Sequence, residues 1–311
     1  MFYFTIPISD VPVYFAYFTV FSQTLKKVFF FFTGFLRWST IEYIYTGAMA
    51  SVGDTQRKYI QLEVRSFMIN TQIETAARLA IRDNPKKRVL PLSVEGKTYY
   101  IKRLISNGRN KLVKQGAHAA YLTEVYKIME VNERLPLAPH IVLLTDDFFV
   151  MEACGKPLQR IVKEHDSTAE EAYYQAGVAL SSLHQLGLHH GRPALRDISW
   201  DAEKHRITFL DWESEKTFFH VDARTLDLFL FIHSYFREGW DTTVYLDQAM
   251  AGYQTVAGSD ERLADVLHFI DQHTLIFHIC RSASSFGWID VVSVSKAEDY
   301  LRTLIKNNSA S

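Results

Sequence analysis

The chain has 311 residues, 48% of them hydrophobic and 22% charged. This is the balance of a soluble protein of about two domains or one large bilobed one, and it excludes disordered, collagenous and multi-span membrane classes. Lys plus Arg number 34 and Asp plus Glu 35, for a formal net charge of -1, so no global field draws the chain to nucleic acid.

The two cysteines, Cys154 and Cys280, lie far apart and in no metal-ligand spacing. Neither a disulfide framework nor a zinc site is indicated, and a reducing, cytoplasmic setting fits. Residues 1–47 differ from the rest: ten Phe, five Tyr and Trp38 fall within residues 1–45. The apolar runs Val11 to Phe21 and Val28 to Phe35 are each short of the roughly 20 residues that span a bilayer, and Lys26 and Lys27 part them. With the charge in the middle and Arg37-Trp38 following, the pattern is not that of a secretory signal. Two readings stand: a peripheral anchor at the inner face of the membrane, aromatics inserted and lysines on anionic headgroups, or an over-extended reading frame with the start at Met49 or Met68.

From Gln56 to Arg82 the apolar spacing predicts one or two short helices. Arg88 to Val94 and Thr98 to Leu104 are β-rich runs about Glu95-Gly96-Lys97, a hairpin with Lys102 on its second strand. Asn110 to Asn132 is a predicted helix, followed by strands at His140 to Leu144 and Phe148 to Met151, so that a small mixed sheet with one helix is expected. The character changes near Cys154-Gly155-Lys156-Pro157, where a boundary is expected between residues 48–154 and 155–311. Beyond it come a helix from Thr168 to Gln185, a hairpin of Leu195 to Trp200 with Arg206 to Leu210, and helices at Ala223 to Phe236, Thr242 to Val256, Glu261 to Cys280 and Lys296 to Asn307. The fold class is α+β, a small sheet region followed by a larger helical one.

Three segments carry a resemblance. Phe149-Val150-Met151-Glu152-Ala153-Cys154-Gly155 looks like the hinge of a protein-kinase-like fold, Ser182 to Gly191 resembles the L-H-x-x-G-x-x-H-G-D entry to the catalytic loop, and Ile207-Thr208-Phe209-Leu210-Asp211-Trp212-Glu213 resembles the strand and metal-binding Asp. The chain resembles, over about residues 88 to 240, the small bacterial lipopolysaccharide-kinase and RIO-like kinases, a grouping bordering on the aminoglycoside phosphotransferases. The resemblance implies a bilobed fold binding ATP with Mg2+ or Mn2+ between its lobes. It implies phosphoryl transfer to a hydroxyl of a glycan, a lipid-linked sugar or a protein Ser/Thr. Lys102 would hold the phosphates, Glu124 orient it, the backbone around Glu152 and Cys154 meet the adenine, Asp197 and Asp211 hold the metal, and Asp227 brace the loop. Phosphoryl transfer asks for this inventory because positioning and electrostatics supply nearly all of the catalysis, and two adjacent carboxylates repel unless a cation separates them.

The departures are specific. Arg192 stands where the family has its catalytic Asp, and Asp197 where it has Asn. An arginine cannot accept a proton at neutral pH, but it can clamp a phosphate or an acidic acceptor. The hairpin turn has a single glycine, Gly96, in place of a glycine-rich phosphate loop, and Lys97 or Arg103 is the candidate substitute. The alternative is therefore a pseudokinase, a nucleotide-binding or interaction module; a third reading, a membrane-surface adaptor, rests on residues 1–47. His190 is expected to hold the loop by hydrogen bonds, Trp212 to pack in the core, and Asn84 to Arg88 to be a solvated loop.

Overall fold

The computed structural model describes residues 70–105, 111–212, 221–256, 259–284 and 287–308. The expectations for residues 1–47, the start positions Met49 and Met68, and the 56–69 part of the first predicted helix lie outside them. Contacts divide the chain between Ile69 and Asn70, and all described residues belong to the second unit. Among the described residues no helix is long and apolar enough to cross a membrane.

The fold is α+β. A helix over residues 70–83 (α1) precedes β1 (Val89–Val94) and β2 (Lys97–Arg103), then α2 (Lys111–Arg134), β3 (Ile141–Leu144) and β4 (Phe148–Glu152). These strands form one sheet in the order β1-β2-β4-β3, antiparallel throughout rather than mixed, because β4 turns back from β3 and inserts between it and β2. Strand alternation divides its faces. Phe148 lies on one, under the Arg78 guanidinium of α1 at 5.3 Å. Phe149 lies on the other, against Tyr121 of α2 with ring centroids 5.9 Å apart. Lys102 pairs with Phe149 in the ladder and so shares the α2 face.

The chain changes sheets across Ala153 to Gly155. Gly155 has φ +98°, and a Cβ there would lie 2.1 Å from the Trp200 carbonyl oxygen, so glycine alone allows the passage. Two elements absent from the sequence reading follow, β5 (Lys156–Pro157) and α3 (Leu158–Lys163). A two-residue strand and a six-residue helix are too short for periodicity to show. After α4 (Ala169–Gln185), Leu195–Asp197 is a 3-10 turn closed by Asp197 N–H donating to Ala194 O at 2.8 Å, so the second hairpin begins at β6 (Ile198–Asp201), later than predicted, and returns as β7 (Arg206–Phe209). The order of this sheet is β5-β6-β7.

The remaining helices are α5 (Ala223–Arg237), α6 (Val244–Gln254), α7 (Ser259–Gln272), α8 (Thr274–Ala283) and α9 (Ile289–Asn308). The single helix predicted from Glu261 to Cys280 is broken at His273, whose Nδ1 bonds the Phe269 carbonyl at 2.9 Å while Thr274 Oγ1 donates to Asp271 O at 2.6 Å. Side chains compete there for carbonyls of the helical ladder. α4 and α6 pack closely because Gly177 has no side chain; a Cβ there would stand 1.8 Å from Ala249 O. α5 is the central helix, with Leu226, Leu228, Phe229, Phe231, Ile232 and Tyr235 all buried. At about 1.5–3 kcal/mol for each large apolar side chain, this burial anchors the region.

Candidate functional site

The site is built from four segments. Along α2 the buried positions Tyr121, Val125, Ile128 and Val131 recur with helical period, and Glu124 falls inside that stripe. It therefore faces the sheet, where Lys102 projects from β2. The Lys102 ammonium donates to Glu124 Oε1 at 2.5 Å and to Asp211 Oδ1 at 2.6 Å. Lys102 and Glu124 side chains are 8% and 3% exposed, against 29% for Asp211, so the ion pair is sealed on the α2 side and opens toward Asp211.

Asp211 follows β7 by two residues with φ +62°, the left-handed region that Asp tolerates better than most residues but that still costs about 1–3 kcal/mol. The turn re-aims the chain so that the carboxylate meets Lys102, while Leu210 N–H donates to the Asp197 carbonyl at 2.7 Å and ties the two aspartates' segments together. Arg192 Nη2 stands 3.5 Å from Asp211 Oδ2, and Arg196 Nε 3.4 Å from Asp197 Oδ2.

The electrostatics follow from these positions. Burial pushes the Glu124 carboxyl above the usual range despite the opposing Lys102 charge. Burial also pushes Asp197 up, and the Asp211 charge adds to that against Arg196 and Arg192. For Asp211 burial acts upward too, but Lys102, Arg88 and Arg192 outweigh it and hold the carboxyl below its ordinary value. Asp211 is thus the most firmly ionised of the three.

The loop carrying Arg192 is held from beneath. Asp227 on α5, fully buried, accepts from the backbone N–H groups of His190 at 2.5 Å and Gly191 at 2.8 Å. His190 Nε2 lies 2.8 Å from the Leu210 carbonyl, which can only accept, so Nε2 carries the proton and Nδ1 accepts from Arg192 N–H at 3.3 Å. Burial lowers the imidazole's pKa, in keeping with this neutral form. The same ring lies 4.7 Å from that of Trp212, which is buried and donates its indole N–H to Phe209 O at 2.7 Å.

The structure brings together Lys102, Glu124, Asp211, Arg192 and Asp197. Glu152 and Cys154 lie apart from them: Glu152 pairs with Tyr99, three ladder positions from the Lys102–Phe149 pair, or about 10 Å along the strand. The Glu152 and Ala153 N–H groups donate to His140 O and Thr98 O, and the Cys154 thiol donates to Glu152 O at 3.2 Å. Arg103 is no phosphate-loop substitute, since its Nη1 is committed to the carbonyls of Asn84, Pro85 and Lys87. Two basic groups escaped the sequence reading. Arg196 was signalled only by its adjacency to Asp197; Arg88, whose charge acts on both Glu124 and Asp211, gave no signal, because only folding brings it near them.

Two carboxylates match what Mg2+ takes alongside substrate phosphates. Among the described residues no group of three or more His, Cys, Asp or Glu could cage an ion by itself. Asp197 and Asp211 supply two of the oxygen donors that such an ion takes. A concavity of about 440 Å³ lined by Phe236, Asp247 and Tyr300, among others, contains none of these residues.

No family model matches the chain. It is 25% identical over 233 residues to an uncharacterized protein of Haemophilus influenzae, covering 73% of this chain and 95% of that one. Among solved structures it is similar to WbdD bound to a kinase inhibitor, with 14% identity and a TM-score of 0.36 over 55% of this chain and 43% of that one. A structure of the bifunctional kinase-methyltransferase WbdD gives 14% identity and a TM-score of 0.34 over 60% and 47%. The chain spans less than half the length of those two chains.

Proposed function

We propose that the protein is a cytoplasmic, ATP-dependent phosphotransferase of kinase-like, bilobed architecture, with residues 48–154 as the smaller lobe and 155–311 as the larger. The observation that carries this reading is the Lys102 ammonium bridging Glu124 at 2.5 Å and Asp211 at 2.6 Å, from three separate elements. A lysine oriented by a helix carboxylate beside a second, ionised carboxylate is the arrangement that phosphoryl transfer needs for the phosphates and their metal. In this reading Lys102 binds phosphate, Glu124 orients it, and Asp197 and Asp211 hold Mg2+ or Mn2+, which when bound screens the charge on the phosphates. The Glu152 carbonyl and the Cys154 main chain meet the base. The acceptor is a hydroxyl of a glycan, a lipid-linked sugar or a protein. Asp227 and His190 fix the loop from which Arg192 reaches the phosphates or the acceptor.

One observation favours a second reading. Arg192 occupies the position where a general base is needed, and a guanidinium takes up no proton at neutral pH; a nucleotide-binding pseudokinase follows if transfer requires that base.

Thermal unfolding of the full chain with and without Mg-ATP tests the shared premise. Ligand at about 100 times its Kd stabilises the fold by about 2.7 kcal/mol, and Asp211→Ala should lose the part of the shift that depends on Mg2+. A wild-type protein that ATP does not stabilise overturns both readings. ATP binding with no ADP released in the presence of hydroxyl acceptors is the outcome expected of the second.

A further inference from the structure

The negative charges of the cluster are already met by the chain itself. Asp211 has Lys102 on Oδ1 at 2.6 Å and Arg192 on Oδ2 at 3.5 Å. Asp197 has Arg196 at 3.4 Å and also feels the Arg192 charge, and Glu124 has Lys102 and the field of Arg88. Three carboxylates thus stand among four cations, and the guanidinium groups offset part of the mutual repulsion that usually calls for a divalent ion between two carboxylates. Resting on the nucleotide-site reading above, we propose that Arg192 is a phosphate-binding residue that lets the protein bind the metal-free nucleotide anion, the divalent ion being a requirement of transfer and not of binding.

The geometry suits Arg192 to that role. Its 3.5 Å contact with Asp211 is at the long limit of a hydrogen bond. A phosphate can offer the same planar fork shorter, paired contacts than this one. The side chain is 40% exposed, against 8% for Lys102, so it reaches the open side of the cluster while the lysine meets the phosphates from the sealed side. Its backbone N–H is fixed to His190 Nδ1, and the preceding peptides to Asp227. The base of the arm is therefore already ordered before ligand arrives, which limits the entropy lost on binding.

Calorimetric titration of the full chain with ATP, once in excess EDTA and once in excess Mg2+, tests this. The wild type should bind in both conditions with Kd values within about tenfold of each other. Arg192→Met should weaken the EDTA titration by about tenfold or more, the worth of one charge-assisted contact, and leave the Mg2+ titration less affected. Arg192→Lys should restore part of the loss. Arg160→Met, which removes a remote exposed charge paired with Glu164, should change neither. Wild-type binding seen only with Mg2+, or an Arg192→Met loss equal in both conditions, overturns the proposal and leaves the nucleotide site standing. No ATP binding in either condition overturns the nucleotide site itself, and this proposal with it. Should Arg192→Met not fold, the two wild-type titrations decide alone.

Discussion

Asp211 and Asp227 are carboxylates 16 positions apart that the fold compensates in opposite ways. Asp227 is closed off from solvent and satisfied by backbone N–H groups of His190 and Gly191, with the ring of His184 at 3.5 Å. Such donors cannot leave without unfolding the loop. Asp211 is partly open and satisfied by the ends of two long side chains, Lys102 and Arg192. Fixed peptide dipoles make a brace; side-chain cations at an open edge make a place where ligand can compete. The difference between structural and functional aspartate in this protein lies in the kind of donor and not in the carboxylate.

Removing the brace should have the largest effect. Asp227→Ala leaves two buried backbone donors unmatched and should cost about 3–5 kcal/mol in urea unfolding at neutral pH. Asp227→Asn, keeping one acceptor oxygen, should cost visibly less. A loss below about 1 kcal/mol for the alanine variant would sink the contrast with Asp211.

Next comes the cation of the sealed pair. Lys102→Met strands Glu124, whose side chain is 3% exposed, and should cost about 2–3 kcal/mol at pH 7. The sign with pH is set by Glu124, which burial already holds above the ordinary range. A carboxyl raised in the folded state favours folding while protonated, and that advantage is lost as pH rises through its folded value. The loss should therefore grow from pH 5 to pH 8; a pH-independent loss would mean that Glu124 is not the group left stranded.

The smallest effect has the opposite sign. Asp197 is also held above its ordinary value, by burial first, so its charged form opposes folding at neutral pH. Asp197→Asn should stabilise the ligand-free protein by about 0.5–1 kcal/mol at pH 7, with the gain vanishing below the ordinary Asp range, where both folded and unfolded chains are protonated. Destabilisation at pH 7 would show that the Arg196 contact outweighs burial.

Much of the site could be read from sequence because it rests on local patterns. Lys102 stood in an alternating run, Glu124 within the next helix, and Asp211 at the end of a hairpin strand. The α+β class and most long helices were legible for the same reason. The helix break at His273, the strand Lys156–Pro157 and the late start of β6 were not, since side-chain competition for carbonyls and two-residue pairings leave no period. Arg88 belongs with these: nothing near it in sequence points to Glu124 or Asp211.

By itself the sequence determined which residue types lie at which spacings, and so which side chains could carry charge into a buried face of a strand or helix. Only the tertiary structure decided how those charges cancel. Arg192 reads, in a row of letters, as a lost base; folded, it is a cation facing Asp211 across 3.5 Å from a loop pinned by Asp227. Coulomb interactions depend on distances through space, and the 19 positions that separate Arg192 from Asp211 in sequence say nothing of theirs until the β6–β7 hairpin and the left-handed turn at Asp211 set it.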